Sequence, residues 1–378
     1  MLKITDVESF RAAVAHKEEI RESLIGHGCT SFCYMISGPE TFDSAEAREC
    51  RGIVFNAQGQ VNGRSLHKFF NVNEREETLL QNLDWSKVTR VMDKRDGSMI
   101  HTVSTMDGII LKSKKSFESD VAKAADDWMN NQDGLHVFRL ALRMSAMGKT
   151  CIFEWTAPTA RIVLFYPEAE LQLLHVRDNE TGEYMPKEEL YAWAKEYGVK
   201  VVEEVDLSKY GVDVTKMTLK DAEHLHKTVE DVEGWVIQFE DGNMVKLKTD
   251  WYIKRHHAMT FVRERDIAEL VLDEGLDDMK AMLVGDGVNI DRILEIERDV
   301  AHRMSTIRNI VEGVVKTNKE VDRKTFAMSM QGHEYFGLFM RAFVGQEPDY
   351  RGFFIKHILK QEYGLEQVVM MPSMAEGD

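Results

Sequence analysis

Between about residues 50 and 250 the apolar residues come in short runs that alternate with polar ones and stop at turn signals. The runs are "GIVFN", "SMIHTVST", "GIILKSK", "CIFEWTA", "LQLLHVRD", "GWVIQF" and "MVKLK". That length and period predict strands, and the "MDG" and "EDG" steps between neighbouring runs predict tight hairpins, hence a largely antiparallel sheet. Helical spacing interrupts the strands over about 118–147 and 186–198. The opening "MLKITDVESFRAAVAHKEEI" predicts an amphipathic helix capped by Thr5 and Glu8 rather than a signal peptide. From about residue 255 the alternation stops. No proline occurs between Pro186 and Pro348, and Ile293, Ile296, Val300, Met304, Ile307, Ile310, Val311 and Val314 recur at helical spacing. The expectation is an α+β domain over 1–254 followed by an all-α domain over 255–378.

Composition narrows the function classes. A chain of 378 residues is long enough for two cores. Its four cysteines form no CxxC pair, which argues against a disulfide framework or a zinc site and predicts a reducing cytoplasm. No apolar run approaches the roughly 20 residues of a membrane span. The net charge of −16 excludes a broad basic surface, so any contact with nucleic acid must be local.

The candidate chemistry begins at "KRDGSMI", Lys94 to Ile100, between the end of one apolar run and the start of the next. On its own this is also the composition of an exposed turn. In "EGWVIQFEDGNMVKLKTDW", a two-residue turn at Asp241–Gly242 would pair Ile237 with Lys246 and Trp235 with Lys248. Glu233, Trp235, Ile237, Lys246 and Lys248 would then share one face, with Val236, Gln238, Val245 and Leu247 on the other. Such a lysine pair is either solvated or held against an anion, because burying two ammonium groups is costly unless anions compensate. A polyphosphate is such an anion. Lys112 and Lys114 in "GIILKSKKS", after a hairpin at Asp107–Gly108, invite the same reading. Arg51 in "ECRGIVF" and Lys68 in "HKFFNVNE" add two cations. Glu154 and Glu233 are either strand-edge ion pairs or carboxylates for a hydrated magnesium. No GxxxxGK[ST] or GxGxxG loop is present, so phosphate would be held by side chains. His224, His226, His256, His257, Cys29 and Cys33 complete no ligand set and read as surface histidines and ordinary thiols. Lys316, Lys319 and Arg323, at i, i+3 and i+7, read as a solvated helix face or an RNA contact.

In order, "KRDGS", "FEWTAP", "EGWVIQF" and "VKLKTDW" resemble motifs I, IIIa, IV and V of the covalent nucleotidyltransferases, the superfamily of DNA ligases, RNA ligases and mRNA capping enzymes. The flanking "ECRGIVF", "KFFNVNE", "LKSK" and "APTARIVLFY" are similar to the bacteriophage RNA ligase 1 family, the tRNA-repairing type of T-even phages. The resemblance runs through about residues 30–255. It implies ATP as cofactor, with Mg2+ or Mn2+, and Lys94 as the nucleophile that forms lysyl-AMP. It also implies that Gly97 lets the chain approach the nucleotide, that Asp96 shapes the loop, and that Arg95 fills a variable slot. Tyr34, Arg51 and Lys68 match triphosphate positions and Phe70 an aromatic one beside them. Lys114, Glu154, Glu233, Lys246 and Lys248 match the remaining essential positions. The implied partner is RNA, in particular nicked tRNA, with no membrane and no obligate protein partner, in the cytoplasm of a host. A DNA ligase, a capping enzyme or an inactive RNA-end binding protein are the alternatives. The first two usually follow motif V with an OB-fold, whereas this chain continues as helices, and the third would be expected to have lost Lys94, Lys246 or Lys248.

Overall fold

The computed structural model describes residues 1–34, 40–260, 263–272, 276, 280 and 290–364. The chain divides into two compact units, Met1–Ile253 and Lys254–Asp378. Strands of the first unit are β1 (Ile20–Leu24), β2 (Thr30–Tyr34), β3 (Arg51–Phe55), β4 (Val61–Gly63), β5 (Phe70–Asn71), β6 (Val88–Asp93), β7 (Ser98–Thr105), β8 (Gly108–Lys112), β9 (Lys149–Thr156), β10 (Glu170–Asp178), β11 (Gly234–Phe239) and β12 (Met244–Lys248). They build three four-stranded sheets, ordered β1-β2-β3-β4, β10-β9-β7-β8 and β5-β12-β11-β6. Within them only β5 on β12 is parallel.

Alternation decides what each strand buries. On β9, Cys151, Phe153 and Trp155 pack with residues of the helices Asp120–Asn130, Leu135–Ala146 and Lys187–Tyr197. Ile152 and Glu154 therefore lie on the other face. On β11 and β12, Trp235, Ile237, Phe239, Val245 and Leu247 form a core with Ala222 and Leu225 of the helix Leu219–Thr228. What remains on the inner faces of the two sheets meets: Met244 and Val236 pack with Ile152, Met99, Leu66 and Phe69. Lys246, Lys248 and Glu154 lie on these same inner faces.

Three sequence expectations shift. The "EDG" hairpin has a three-residue loop, with Phe239 N–H donating to the Asn243 carbonyl at 2.9 Å and Gly242 at φ +83°. Its pairs are Gly234 with Lys248, Trp235 with Leu247 and Val236 with Lys246. The extra loop residue moves the register by one, so Trp235 and Ile237 leave the lysine face and join the core. The "MDG" hairpin turns at Met106–Asp107, one residue earlier than expected, because Thr105 pairs with Gly108. Its second strand ends at Lys112, so alternation does not relate Lys112 to Lys114. At the N-terminus the helix covers only Val7–Val14, and its cap is Asp6, which accepts the Ser9 N–H at 2.8 Å; the rest of the stretch continues into β1.

The second unit is helical, with no strand after Lys248 among the described residues. Its long helix Asp291–Thr317 buries Ile293, Ile296, Val300, Ile307 and Val311, while Ile310 stays exposed. Phe326, Phe339 and Phe354, from three shorter helices, complete that core. Because the long helix stops at Thr317 and Arg323 opens the next one, Lys316, Lys319 and Arg323 do not form one helical face.

Candidate active site

The segment Lys94–Gly97 is not a hairpin turn. It joins β6 of one sheet to β7 of the other, and Lys94 N–H donates to the Gly234 carbonyl at 3.0 Å, which ties the crossover to the start of β11. Gly234 has φ +140°, and an added Cβ would collide with the Leu247 carbonyl oxygen. That bend brings Glu233 to the lysines although its parity along β11 matches Trp235. One oxygen of Glu233, Oε1, contacts Lys94 Nζ at 2.6 Å and Lys248 Nζ at 2.9 Å. Sequence reasoning grouped Glu233 with Lys248 from a wrong register; the bend at Gly234 restores the neighbourhood.

Asp96 is buried and its carboxylate is fully engaged. Oδ2 accepts from the Val163 and Leu164 amides at 2.7 and 2.6 Å, and Oδ1 accepts from the Tyr252 hydroxyl at 2.6 Å. It acts on the site by holding the crossover loop, since both its oxygens are taken up by these three donors. Gly97 is also required by a neighbour within the protein. An added Cβ would strike the Trp155 carbonyl oxygen and approach Glu154 Cγ at 3.1 Å, so the close approach is to β9.

The remaining cations gather around aromatic rings. Lys68 Nζ lies 5.6, 5.1 and 5.3 Å from the ring centroids of Tyr34, Phe42 and Phe70. Lys114 Nζ lies 4.0 Å from that of Tyr34. Arg51 and Lys246 share Phe69, at 5.5 and 5.4 Å. Among the described residues no carboxylate pairs with Arg51, Lys68, Lys114 or Lys246. Burial first, then the charges of Arg51, Lys68 and Lys94, push Lys246 down to about 7. Glu154 shows the opposite strain: burial, with Glu233 and Asp96 adding repulsion against the pull of Lys94, raises its carboxyl to about 8. No cluster of three or more His, Cys, Asp or Glu stands ready for a metal among the described residues. A carboxyl kept protonated by burial is nonetheless a fitting ligand for a hydrated divalent cation, whose charge would let it ionise.

Phe69, Phe42, Tyr166 and Tyr252 escaped the sequence reading. Tyr166 accepts the Asp96 N–H at 3.1 Å, and its ring lies under the Arg95 guanidinium at 4.0 Å. Phe69 was flagged only through its neighbour Phe70, and nothing in the local pattern marks Phe42. His226, read as a surface residue, is half-buried and hydrogen-bonds the Lys248 carbonyl at 2.8 Å. Cys29 and Cys33 are free buried thiols.

Lys94 thus lies on the crossover between two packed sheets, near cations that have no carboxylate partner among the described residues. The chain belongs to the RNA ligase family: residues 49–252 match the family described as RNA ligase, and residues 260–361 match the T4 RNA ligase 1 C-terminal domain. Among its relatives, a protein of Thermovibrio ammonificans named "Putative RNA ligase" is 30% identical over 285 residues, which cover 72% of this chain and 70% of that protein. The "RNA ligase 1" of bacteriophage TS2126 is 25% identical over 273 residues, covering 69% of this chain and 64% of the phage protein. A solved archaeal ATP-dependent RNA ligase aligns at a TM-score of 0.44 and 15% identity, over 79% of each chain.

Proposed function

We propose that the protein is an ATP-dependent RNA ligase that seals RNA 3′-hydroxyl and 5′-phosphate ends through a lysyl-AMP intermediate on Lys94. The observation that carries this reading is the sharing of Glu233 Oε1 by Lys94 and Lys248, beside cations that have no carboxylate partner among the described residues. Four positive side chains facing one region without anions of their own form a receptor for the triphosphate of ATP.

Lys94 Nζ gives up a proton to solvent and attacks the α-phosphorus; the new N–P bond replaces the P–O bond to pyrophosphate, which leaves with the electron pair. Glu233 orients the attacking nitrogen, and its contact with Lys248 keeps a cation beside the α-phosphate. Lys246, Arg51, Lys68 and Lys114 stabilise the charge of the departing pyrophosphate. Magnesium, with manganese as a substitute, would be held by Glu154 and Glu233 through water and would supply further charge neutralisation on the phosphates. AMP then passes to an RNA 5′-phosphate, and a 3′-hydroxyl displaces it to close the strand.

Residues 1–254 carry adenylylation in this reading, and 255–378 select the RNA, a tRNA broken in its anticodon loop, within a host cytoplasm. The matching C-terminal family and the helical second unit support that division. No described helix is long and apolar enough to cross a membrane. The decisive experiment incubates wild type and Lys94→Ala with α-labelled ATP and magnesium. Label should stay on the wild-type protein through a denaturing gel and be missing from the variant. Sealing of nicked tRNA against a short linear RNA then tests the substrate; equal rates would refute the tRNA preference.

A further inference from the structure

Lys112, at the end of β8 beside Arg51 and Lys114, is fully buried. It has no exposed surface, and among the described residues no carboxylate pairs with it. Its Nζ donates instead to three backbone carbonyls: Gly52 at 3.3 Å, Ser113 at 3.1 Å and Lys114 at 2.9 Å. Directly across the β7–β8 ladder stands His101, also fully buried. A buried ammonium is expensive, and three carbonyl dipoles are a minimal compensation. A methionine or leucine would fill the same space without that cost, so packing alone does not account for a lysine here.

The geometry of the carbonyls supplies a reason. The β2–β3 ladder shifts between the pairs Phe32–Ile53 and Cys33–Arg51, and Gly52 is the residue in the bulge. Gly52 adopts φ +99°, and an added Cβ would collide with the Lys114 carbonyl oxygen and stand 3.0 Å from Lys112 Nζ. The backbone next to Arg51 and the backbone of Lys114 therefore approach as closely as a glycine permits. Lys112 bonds to both.

We infer that Lys112 is a positioning residue: its buried ammonium clamps the Gly52 bulge to the 113–114 segment and so sets the spacing between Arg51 and Lys114. This inference rests on the reading of Arg51 and Lys114 as polyphosphate ligands. Through that clamp, a group that touches no substrate governs how well two that do can grip the triphosphate together.

The test uses full-length enzyme and adenylylation kinetics for Lys112→Met, Lys112→Gln, Arg51→Ala and the double variant Lys112→Met/Arg51→Ala, with thermal melting as the fold control. Lys112→Met should raise the KM for ATP about tenfold while kcat changes less than about threefold, since ground-state grip rather than chemistry is loosened. Lys112→Gln, which keeps N–H donors for the carbonyls, should recover part of the loss. In the double variant the two losses should be clearly sub-additive, because both act on the same contact. An unchanged KM in a folded Lys112→Met, or full additivity with Arg51→Ala, overturns the clamp. If Lys112→Met does not fold, the Lys112→Gln/Arg51→Ala pair is read by the same criterion. Arg51→Ala with an unaltered KM would instead remove the polyphosphate reading itself, a result distinct from failure of the clamp.

Discussion

Two groups of charge, one buried and one half-buried, lie close together in the first unit, and they are solved in opposite ways. Glu49 lies between Arg64 and Arg177, both with no exposed surface. Arg177 contacts its two carboxylate oxygens at 2.6 and 2.8 Å, and Arg64 at 2.9 and 3.2 Å. The remaining guanidinium N–H groups reach the carbonyls of Leu2, Ser65, Asn179, Glu180 and Gly182. Burial works to raise the Glu49 carboxyl, but the two arginines overcome it and hold it at about 2. Two residues further on, Arg51 opens the other group, where Arg51, Lys68, Lys114 and Lys246 face aromatic rings and have no carboxylate among the described residues. The first group is closed and holds the N-terminal segment, the start of β3 and the end of β10 together. The second is complete only when a polyanion arrives. The difference separates charge kept for structure from charge kept for binding.

The largest effect should come from the nucleophile. Lys94→Ala is expected to form no detectable lysyl-AMP while its melting temperature stays near that of wild type, measured by label transfer and by calorimetry. Retained labelling on a folded variant would dissociate the binding cluster from the chemistry assigned to it.

Next comes the closed group. Glu49→Gln strands two buried guanidinium groups and should cost about 3–5 kcal/mol in denaturant unfolding, enough to threaten folding. A loss below about 1 kcal/mol would show that the carbonyls alone satisfy the arginines and would blur the contrast.

Lys246→Met should act in the reverse direction. The folded-state value near 7 lies below the ordinary lysine value, so the folded protein releases this proton first as pH rises. The penalty for burying the cation is therefore full below about pH 7 and fades as pH climbs toward the unfolded value. Ligand-free Lys246→Met should gain about 1–2 kcal/mol at pH 6, allowing for solvent screening of a half-buried group, and almost nothing at pH 10. Adenylylation should fall severely in the same variant. Destabilisation at pH 6 would mean that Lys246 has a structural partner after all.

The smallest signal is a proton. An ATP analogue with a non-cleavable α–β bridge should restore the charge on Lys246, so binding at pH 8 takes up a fraction of a proton, up to about one. Titration calorimetry in buffers of different ionisation enthalpy reads this directly. Uptake that persists in Lys246→Met would assign the proton to another group.

The site was legible to different depths at different residues. The sequence offers Glu154 either as a strand-edge ion pair or as a metal carboxylate, and the structure places it on β9 opposite the helix-packed Phe153 and Trp155. Trp235 was misplaced because its face depends on whether the loop after Phe239 has two residues or three, and "EDG" is compatible with either. Gly97 was read as necessary for the nucleotide, and its close passage by the Trp155 carbonyl was not visible in the sequence. Lys112 was seen only as one of a pair in a KxK run, since burial of its ammonium depends on a bulge at Gly52, 60 residues earlier.

Taken alone, the sequence determines the seven strand runs from GIVFN to MVKLK and the change to a helical second unit. These are properties of local spacing: a period of two or of 3.6 needs no knowledge of distant partners. Tertiary structure alone decides that Lys94 lies on a crossover between sheets, that Asp96 is engaged by Val163, Leu164 and Tyr252, and that Glu233 Oε1 serves two lysines. Asp96 and Tyr252 are 156 residues apart, and a one-residue change of loop exchanges the two faces of a hairpin. Contacts of that kind come from how sheets pack and how loops close. The free energies that select them are summed over the whole unit, and no window of sequence contains them.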